Sequence, residues 1–387
     1  MFARRAAPRA AAGSGGGPNW LERGTLIDFE PTEEQQLIVD TVKQFAANEI
    51  RQVAREASES RRLPKQALER AHELGLVAHG IDEVHGGGGE RSALTGALIA
   101  EELAYGDLAL ALAILSPSLI ALPVGDFGSA EQKRTLLPRF TGSHFAPGAL
   151  ALCEPSFRFD PFRPATRAVR DGDGYRLSGE KCTVPWLEGG GGVLVIASED
   201  ERAQAFLVPQ DAAGLSATPE KNMGIDALPT VELSLDGVRV GADARLGDDA
   251  GIDHRSLVNR GRVGLSAAAV GLARAAFDVA RDYAKQRETF GAPIATRQSI
   301  AFMLADMAIE IDATRLLVWE AAWCLDRGDD ATREATLASR QAARVALEVA
   351  DSAVQVLGGH GYIRDYLPEM QLRNARGFAS FEALVLV

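Results

Sequence analysis

Apolar residues recur at helical spacing through the first third of the chain, with polar residues between them. Pro31-Thr32-Glu33-Glu34 reads as a helix start, its acids facing the positive end of the helix dipole. Leu37, Thr41, Phe45 and Ile50 then predict one apolar stripe. A second helix is predicted from about Pro64 to Leu74, and Gly86 to Gly89 reads as a loop. Ser92 opens a strong helix in which Leu98, Ile99, Leu103, Leu110 and Leu112 alternate with alanines that permit close packing. Ser129-Ala130-Glu131-Gln132-Lys133 starts a short helix that ends before Gly142. Residues 26–147 therefore read as a helical domain with order starting near Leu26, and residues 1–25 as a disordered leader.

The pattern changes near Gly148. Pro155, Pro161 and Pro164 break helix, and Asp171 to Gly174 reads as a turn between strands. Val193 to Ala197 and Ala205 to Val208 are short apolar runs, while Val231 to Leu235 alternates with a period of two and Val238 to Val240 continues it. Residues 148–250 thus predict a small β domain, a sandwich or barrel. Helical periodicity returns after Gly251, giving a third domain over 251–387. Leu265, Ala269, Leu272, Ala276, Ala280 and Tyr283 form one stripe; Ile300, Met303, Met307, Ile311, Thr314 and Val318 form another. Ala338, Ala342, Val345, Val349, Ala353 and Val356 form a third. The expected class is α+β: an N-terminal helical domain, a middle β domain and a C-terminal four-helix bundle. A β domain flanked by two helical ones leaves an inter-domain cleft of cofactor size.

Composition narrows the function classes. The 387 residues are 46% hydrophobic and 24% charged with a net charge of -12, so no basic field is present to draw in a nucleic acid. Cys153, Cys182 and Cys324 are odd in number and widely spaced, which suits neither a disulfide framework nor a metal pair. His72 and His79 lack companions of metal-site type, and no uninterrupted apolar run reaches membrane-spanning length. The opening residues, rich in Arg and Ala and free of acid, suit an organelle-targeting segment or a leader on a cytoplasmic protein. The cytoplasm is the expected location, with an organelle matrix as the alternative.

Candidate chemistry gathers near the C-terminal end. Val354 to Leu357 run into Gly358-Gly359-His360-Gly361, a turn whose backbone can approach a ligand closely. Further on, Glu382 is set among apolar residues, where a carboxylate serves as a base of tunable strength. The plainer alternative is a C-capped helix followed by an amphipathic tail. Arg287 can meet a phosphate and Phe290 a ring, or the pair can be a charged helix end with an aromatic anchor. Neither glycine run, 189–192 or 358–361, makes a P-loop or a dinucleotide fingerprint. Glu154, Asp160 and Glu369 are further candidate carboxylates that spacing alone does not pair, and Ser156 and His360 form no evident nucleophile–base pair.

Several motifs in order resemble the acyl-CoA dehydrogenase flavoproteins over residues 28–387. They are Ala100 to Ala104, Phe127-Gly128-Ser129, Ala151 to Pro155, Leu177 to Lys181, Arg287 to Gly291 with Pro293, Ile294 and Gln298, Leu304 to Met307, and Gln355 to Tyr362. The resemblance implies FAD held between the β domain and the C-terminal bundle, often completed by a neighbouring subunit. Arg287, Thr289, Phe290, Gln298, Gln355, Gly358 and Gly359 match cofactor-contacting positions, as do Cys153 and Thr183 in the flavin-side motifs. Glu382 matches the catalytic base and Arg262 an arginine beside the cleft; an alternative base of some branches would fall at Gly261, which cannot serve. The implied reaction takes an α proton and a β hydride from an acyl-CoA to give a trans-2-enoyl thioester. Electrons then pass to an electron-transfer flavoprotein, and the assembly is a homotetramer or dimer, or a hetero-oligomer. Related chemistries are a carrier-protein thioester dehydrogenase, an acyl oxidase and a flavin monooxygenase; a catalytically silent subunit is the alternative of another class. The sequence departs from the family at Cys153, Arg158-Phe159, Thr183 to Pro185 and Ala383-Leu384. Pro185 offers neither hydroxyl nor N–H at a position where the family places a hydrogen bond near the flavin.

Overall fold

The computed structural model describes residues 29–89, 91–247 and 250–387. The expected leader, 1–25, and the expected start of order near Leu26 lie outside them. The first domain holds α1 (Glu33–Phe45), α2 (Arg51–Ser60), α3 (Lys65–Glu73), α4 (Ala93–Gly106), α5 (Leu108–Ile114), α6 (Ser118–Phe127) and α7 (Ala130–Leu136). Thr32 caps α1 reciprocally with Gln35, and Ser129 caps α7 with Gln132, each pair satisfying two free backbone N–H groups.

Two readings of the first domain are corrected. Leu37 and Thr41 are exposed, and the buried face of α1 carries Val42 and Phe45. A π-helical turn over Ala46–Ile50 joins α1 to α2 and brings Ile50, five residues after Phe45, onto that same face. Leu110 and Leu112 belong to a separate helix because the chain breaks at Asp107, whose carboxylate caps α5 by accepting from the N–H of Leu110 at 2.9 Å.

The middle domain contains β1 (Leu150–Ala151), β2 (Arg167–Asp171), β3 (Gly174–Pro185), β4 (Gly192–Glu199), β5 (Arg202–Pro209), β6 (Leu215–Pro219) and β7 (Thr230–Gly241). They form one mixed seven-stranded sheet, with β1 parallel to β4 and β3 antiparallel to β7. The unbroken apolar run Val193 to Ala197 has a physical cause. Successive strand side chains alternate faces, and both faces here are covered. Val193 and Val195 enter a core with Tyr175, Phe206 and Leu233; Leu194 and Ile196 enter another with Leu119, Ile120 and Val124 of α6.

The C-terminal domain is α8 (His254–Gln286), a small hairpin of β8 (Glu288–Thr289) and β9 (Ala292–Pro293), α9 (Gln298–Asp326), α10 (Thr332–Leu357), α11 (Gly359–Tyr362) and α12 (Pro368–Ala375). The predicted stripes on α8, α9 and α10 meet in one core that also takes in α4. Among the described residues α8 alone is long and apolar enough to cross a membrane, yet 78% of its apolar window is buried inside the fold, as a core helix requires. The α, β, α order is as expected. The last residues are neither helical nor amphipathic: Ala383 to Val387 are all buried.

Candidate active site

Glu382 follows a short 3-10 turn, Arg376–Ala379, that brings it against α8. Its Oε1 accepts from Arg262 Nη2 at 3.1 Å. Arg262 is fixed in turn: Nη1 donates to Thr336 Oγ1 on α10 at 2.9 Å, and the guanidinium lies 5.1 Å from the centre of the Phe162 ring. The other carboxylate oxygen, Oε2, is buried with no hydrogen-bond partner. A carboxylate half-held by an arginine, with its second oxygen shielded from water, is oriented and keeps an open acceptor for a proton.

The rival carboxylates are already committed. Glu154 accepts from Ala165 N, Thr166 N, Thr166 Oγ1 and Lys181 Nζ, each at 2.8 Å. Burial alone would raise its pKa, but Lys181 and the two backbone donors hold it below the ordinary carboxylate range. Glu369 bridges Arg55 and Arg373, and Asp160 accepts from the N–H of Phe162. Of the four, only Glu382 retains a buried oxygen without a partner.

Cys153 sits beside the base, its thiol 3.6 Å from the Glu382 carbonyl oxygen. Burial, with the nearby Cys182 and Glu382, pushes that thiol up to about 12, so it is a neutral donor rather than a nucleophile. The carbonyl of Cys153 accepts from Cys182 N at 3.0 Å, which brings Thr183 into the same region of the sheet. Thr183 lies at a register shift in β3 with φ +55°, its N–H donated to Glu220 Oε1 at 2.9 Å.

The remaining candidates form a second group at the C-terminal end of α8. Arg287 ends that helix, Thr289 and Phe290 form the hairpin, and Gln298 begins α9. The Phe290 ring is 99% exposed on a backbone of φ +53°, braced by Arg297, which donates to Thr289 O at 2.9 Å. Gln355, Gly358 and Gly359 are exposed at the end of α10, and Gly358 turns with φ +58° and ψ −128°, a conformation suited to glycine. Tyr283, one turn before Arg287, hydrogen-bonds His360 Nδ1 at 2.7 Å and so ties the glycine turn to α8. No hydrogen bond or ion pair among the described residues joins this group to Glu382.

The guanidinium of Arg287 and the amides of Gln298 and Gln355 make no side-chain hydrogen bond among the described residues. With an outward aromatic ring and two bare glycines, they form a donor set that fits a dinucleotide's phosphates and ring. A cavity of about 930 Å³ lies elsewhere, between α7 and the sheet, and contains none of the candidates. Sequence reasoning missed Thr336, Phe162 and Lys181 as site supports. Thr336 follows Thr332 by one helical turn, but nothing in that spacing points to an arginine 74 residues away.

Three family models match the chain. They are the acyl-CoA dehydrogenase N-terminal domain over residues 32–143, its middle domain over 149–238 and its C-terminal domain over 253–382. A probable acyl-CoA dehydrogenase of Bacillus subtilis is 37% identical over 362 residues, covering 90% of this chain and 94% of that protein. The butyryl-CoA dehydrogenase of Megasphaera elsdenii is similar in structure with a TM-score of 0.84 and 31% identity, covering 92% of this chain and 96% of that one. A glutaryl-CoA dehydrogenase of Mycobacterium smegmatis, solved with FADH2, is similar with a TM-score of 0.83 and 28% identity, covering 91% of each chain.

Proposed function

The chain belongs to the acyl-CoA dehydrogenase family, and from that premise we propose that it desaturates an acyl-CoA thioester between its α and β carbons. The observation that carries this reading is the half-paired Glu382 carboxylate, whose free, buried Oε2 is placed to take the α proton. Arg262 is its positioning residue, holding Oε1 so that the oxygen lacking a partner is presented. FAD, when bound, accepts the β hydride. Arg287, Phe290, Gln298, Gln355, Gly358 and Gly359 would hold it, with Thr289 shaping the hairpin and Cys153 and Thr183 on the sheet side.

We assign an electron-transfer flavoprotein as the acceptor and the cytoplasm as the location. Assembly with further copies is supported by α9, which exposes Phe302, Ile309 and Leu316 at seven-residue spacing. Such an assembly would cover the exposed cofactor-binding group.

The test is anaerobic. Purified protein supplied with FAD should show a flavin band that bleaches on adding butyryl-CoA. Glu382→Gln should retain the band and lose α-proton exchange by about 10²–10⁴-fold. Exchange that survives in Glu382→Gln would refute the base assignment. Protein that takes up no flavin would favour the silent-subunit reading, and peroxide formed in air would favour an oxidase.

A further inference from the structure

The five residues after the base are Ala383-Leu384-Val385-Leu386-Val387, and they are 0–4% exposed. They form neither helix nor strand, yet Leu384, Val385 and Val387 lie within the core that includes α4 and α8, and Ala383 and Leu386 within the neighbouring core under α6 and β4. Glycines on those helices make the room. A Cβ at Gly96 would fall 2.9 Å from the Val387 Cβ, and one at Gly264 would fall 3.1 Å from a Val385 methyl carbon and 3.2 Å from a Val387 one. A cavity of only about 30 Å³ remains beside Leu386 and Val387.

The segment fills its slot well with side chains but is poorly tied by its backbone. Among the described residues, Leu386 N alone of its five amides donates a hydrogen bond, to Ser118 Oγ at 3.1 Å. The Val387 carbonyl accepts from Arg260 at 2.9 Å. A buried stretch with so few backbone partners is held mainly by apolar contact. Another apolar occupant could supply that contact in its place.

A substrate whose α carbon meets Glu382 must send the rest of its acyl chain into apolar space beside the base. In this structure the residues that follow the base directly in the chain fill apolar space between α4, α6 and α8. We propose that Leu384 to Val387 occupy the acyl-chain slot as an internal stopper. This rests on the acyl-CoA reading above. With the stopper seated, the site takes short acyl groups. A long acyl chain enters only by expelling Val385 and Val387 from the faces of Gly96 and Gly264.

The experiment uses the full chain loaded with FAD and a series from butyryl-CoA to dodecanoyl-CoA. Opening the slot with Val385→Ala and Val387→Ala together should raise the ratio of kcat/KM for dodecanoyl-CoA over butyryl-CoA by at least about 10-fold, the discrimination expected of a few methyl groups in an apolar pocket. Ser118→Ala, which frees Leu386 N without altering the slot, should move the ratio the same way and serves if the double variant does not fold. Hydrogen exchange gives a readout apart from turnover. Saturating dodecanoyl-CoA should speed exchange of the Leu386 amide in the unaltered protein, and butyryl-CoA should not. Acyl-CoA binding with unchanged ratios and unchanged exchange overturns the stopper while leaving the activity standing. Failure of every acyl-CoA to bind overturns both.

Discussion

Lys181 and Glu154 offer a sharp test of how the site region is built. Lys181 is fully buried, its ammonium 2.8 Å from Glu154 Oε1 and 3.2 Å from Leu152 O. Glu154 has three further donors from Ala165 and Thr166. The two truncations are therefore unequal. Glu154→Gln strands a buried cation among carbonyl-type acceptors and turns an amide NH2 toward a backbone N–H or the ammonium; the expected cost is about 3–5 kcal/mol. Lys181→Met leaves a carboxylate that keeps three hydrogen bonds, so the expected cost is smaller, about 1–2 kcal/mol. The double variant should cost less than Glu154→Gln alone, a coupling of about 1–3 kcal/mol. Urea unfolding combined with hydrogen exchange of β1 and β3 reads all three. Because Glu154 is held below its unfolded pKa, its contribution is fully present above the ordinary carboxylate range and is lost as pH falls through the depressed value. The Glu154→Gln deficit should shrink correspondingly in acid. Equal costs for the two single variants, or simple additivity, would refute this account. Glu154 directly follows Cys153, so exchange at Cys153 should rise in Glu154→Gln.

Two further outcomes are expected. Burial pushes the Asp107 carboxyl up to about 6, above its ordinary value, so its stabilising effect is present in acid and is lost as pH rises through 6; Asp107→Asn, which keeps the acceptor for Leu110 N, should raise the urea midpoint above pH 6 and match the unaltered protein below about pH 4, whereas Asp107→Ala should be about 1 kcal/mol less stable than Asp107→Asn at every pH, the loss of the cap. Arg287→Ala and Gln355→Ala should each weaken FAD retention on gel filtration by about 10-fold or more, with helix content unchanged by circular dichroism, as expected for exposed residues removing one charge-assisted or amide contact.

Much of the fold is legible where one physical signal dominates. Thr32 with Gln35 marks a helix start because two backbone N–H groups need partners there. Val193 to Ala197 reads as a strand buried on both faces because every residue is apolar. The phase of α1 is not legible: Leu37 falls on its exposed side, and a π-turn at Ala46–Ile50 carries the buried stripe on from Phe45 to Ile50. The break at Asp107 is equally hidden, because apolar residues continue on both sides and only a cap separates the helices. The site is legible as residue types and motif order. Its selection among carboxylates is not, because that depends on how many donors each one meets. Glu154, Glu369 and Glu382 differ in partners drawn from 4 to 314 positions away along the chain.

The position of Gly261 ties the choice of base to the path of the chain after it. A Cβ at Gly261 would fall 3.0 Å from the Ala383 Cα and 3.1 Å from its Cβ. Ala383 itself holds φ +49°, a left-handed conformation that costs a side-chain-bearing residue about 1–2 kcal/mol. The segment thus turns sharply right after Glu382 and presses on α8 at the one place where an alternative base would stand. A side chain on α8 at that position would press on Ala383, whose backbone would have to give by a few tenths of an ångström. Arg262, one residue further along α8, is left with a single carboxylate to hold, and that carboxylate is Glu382. Base, positioning arginine and buried segment are therefore one arrangement: the turn that buries the segment also sets Glu382 against Arg262.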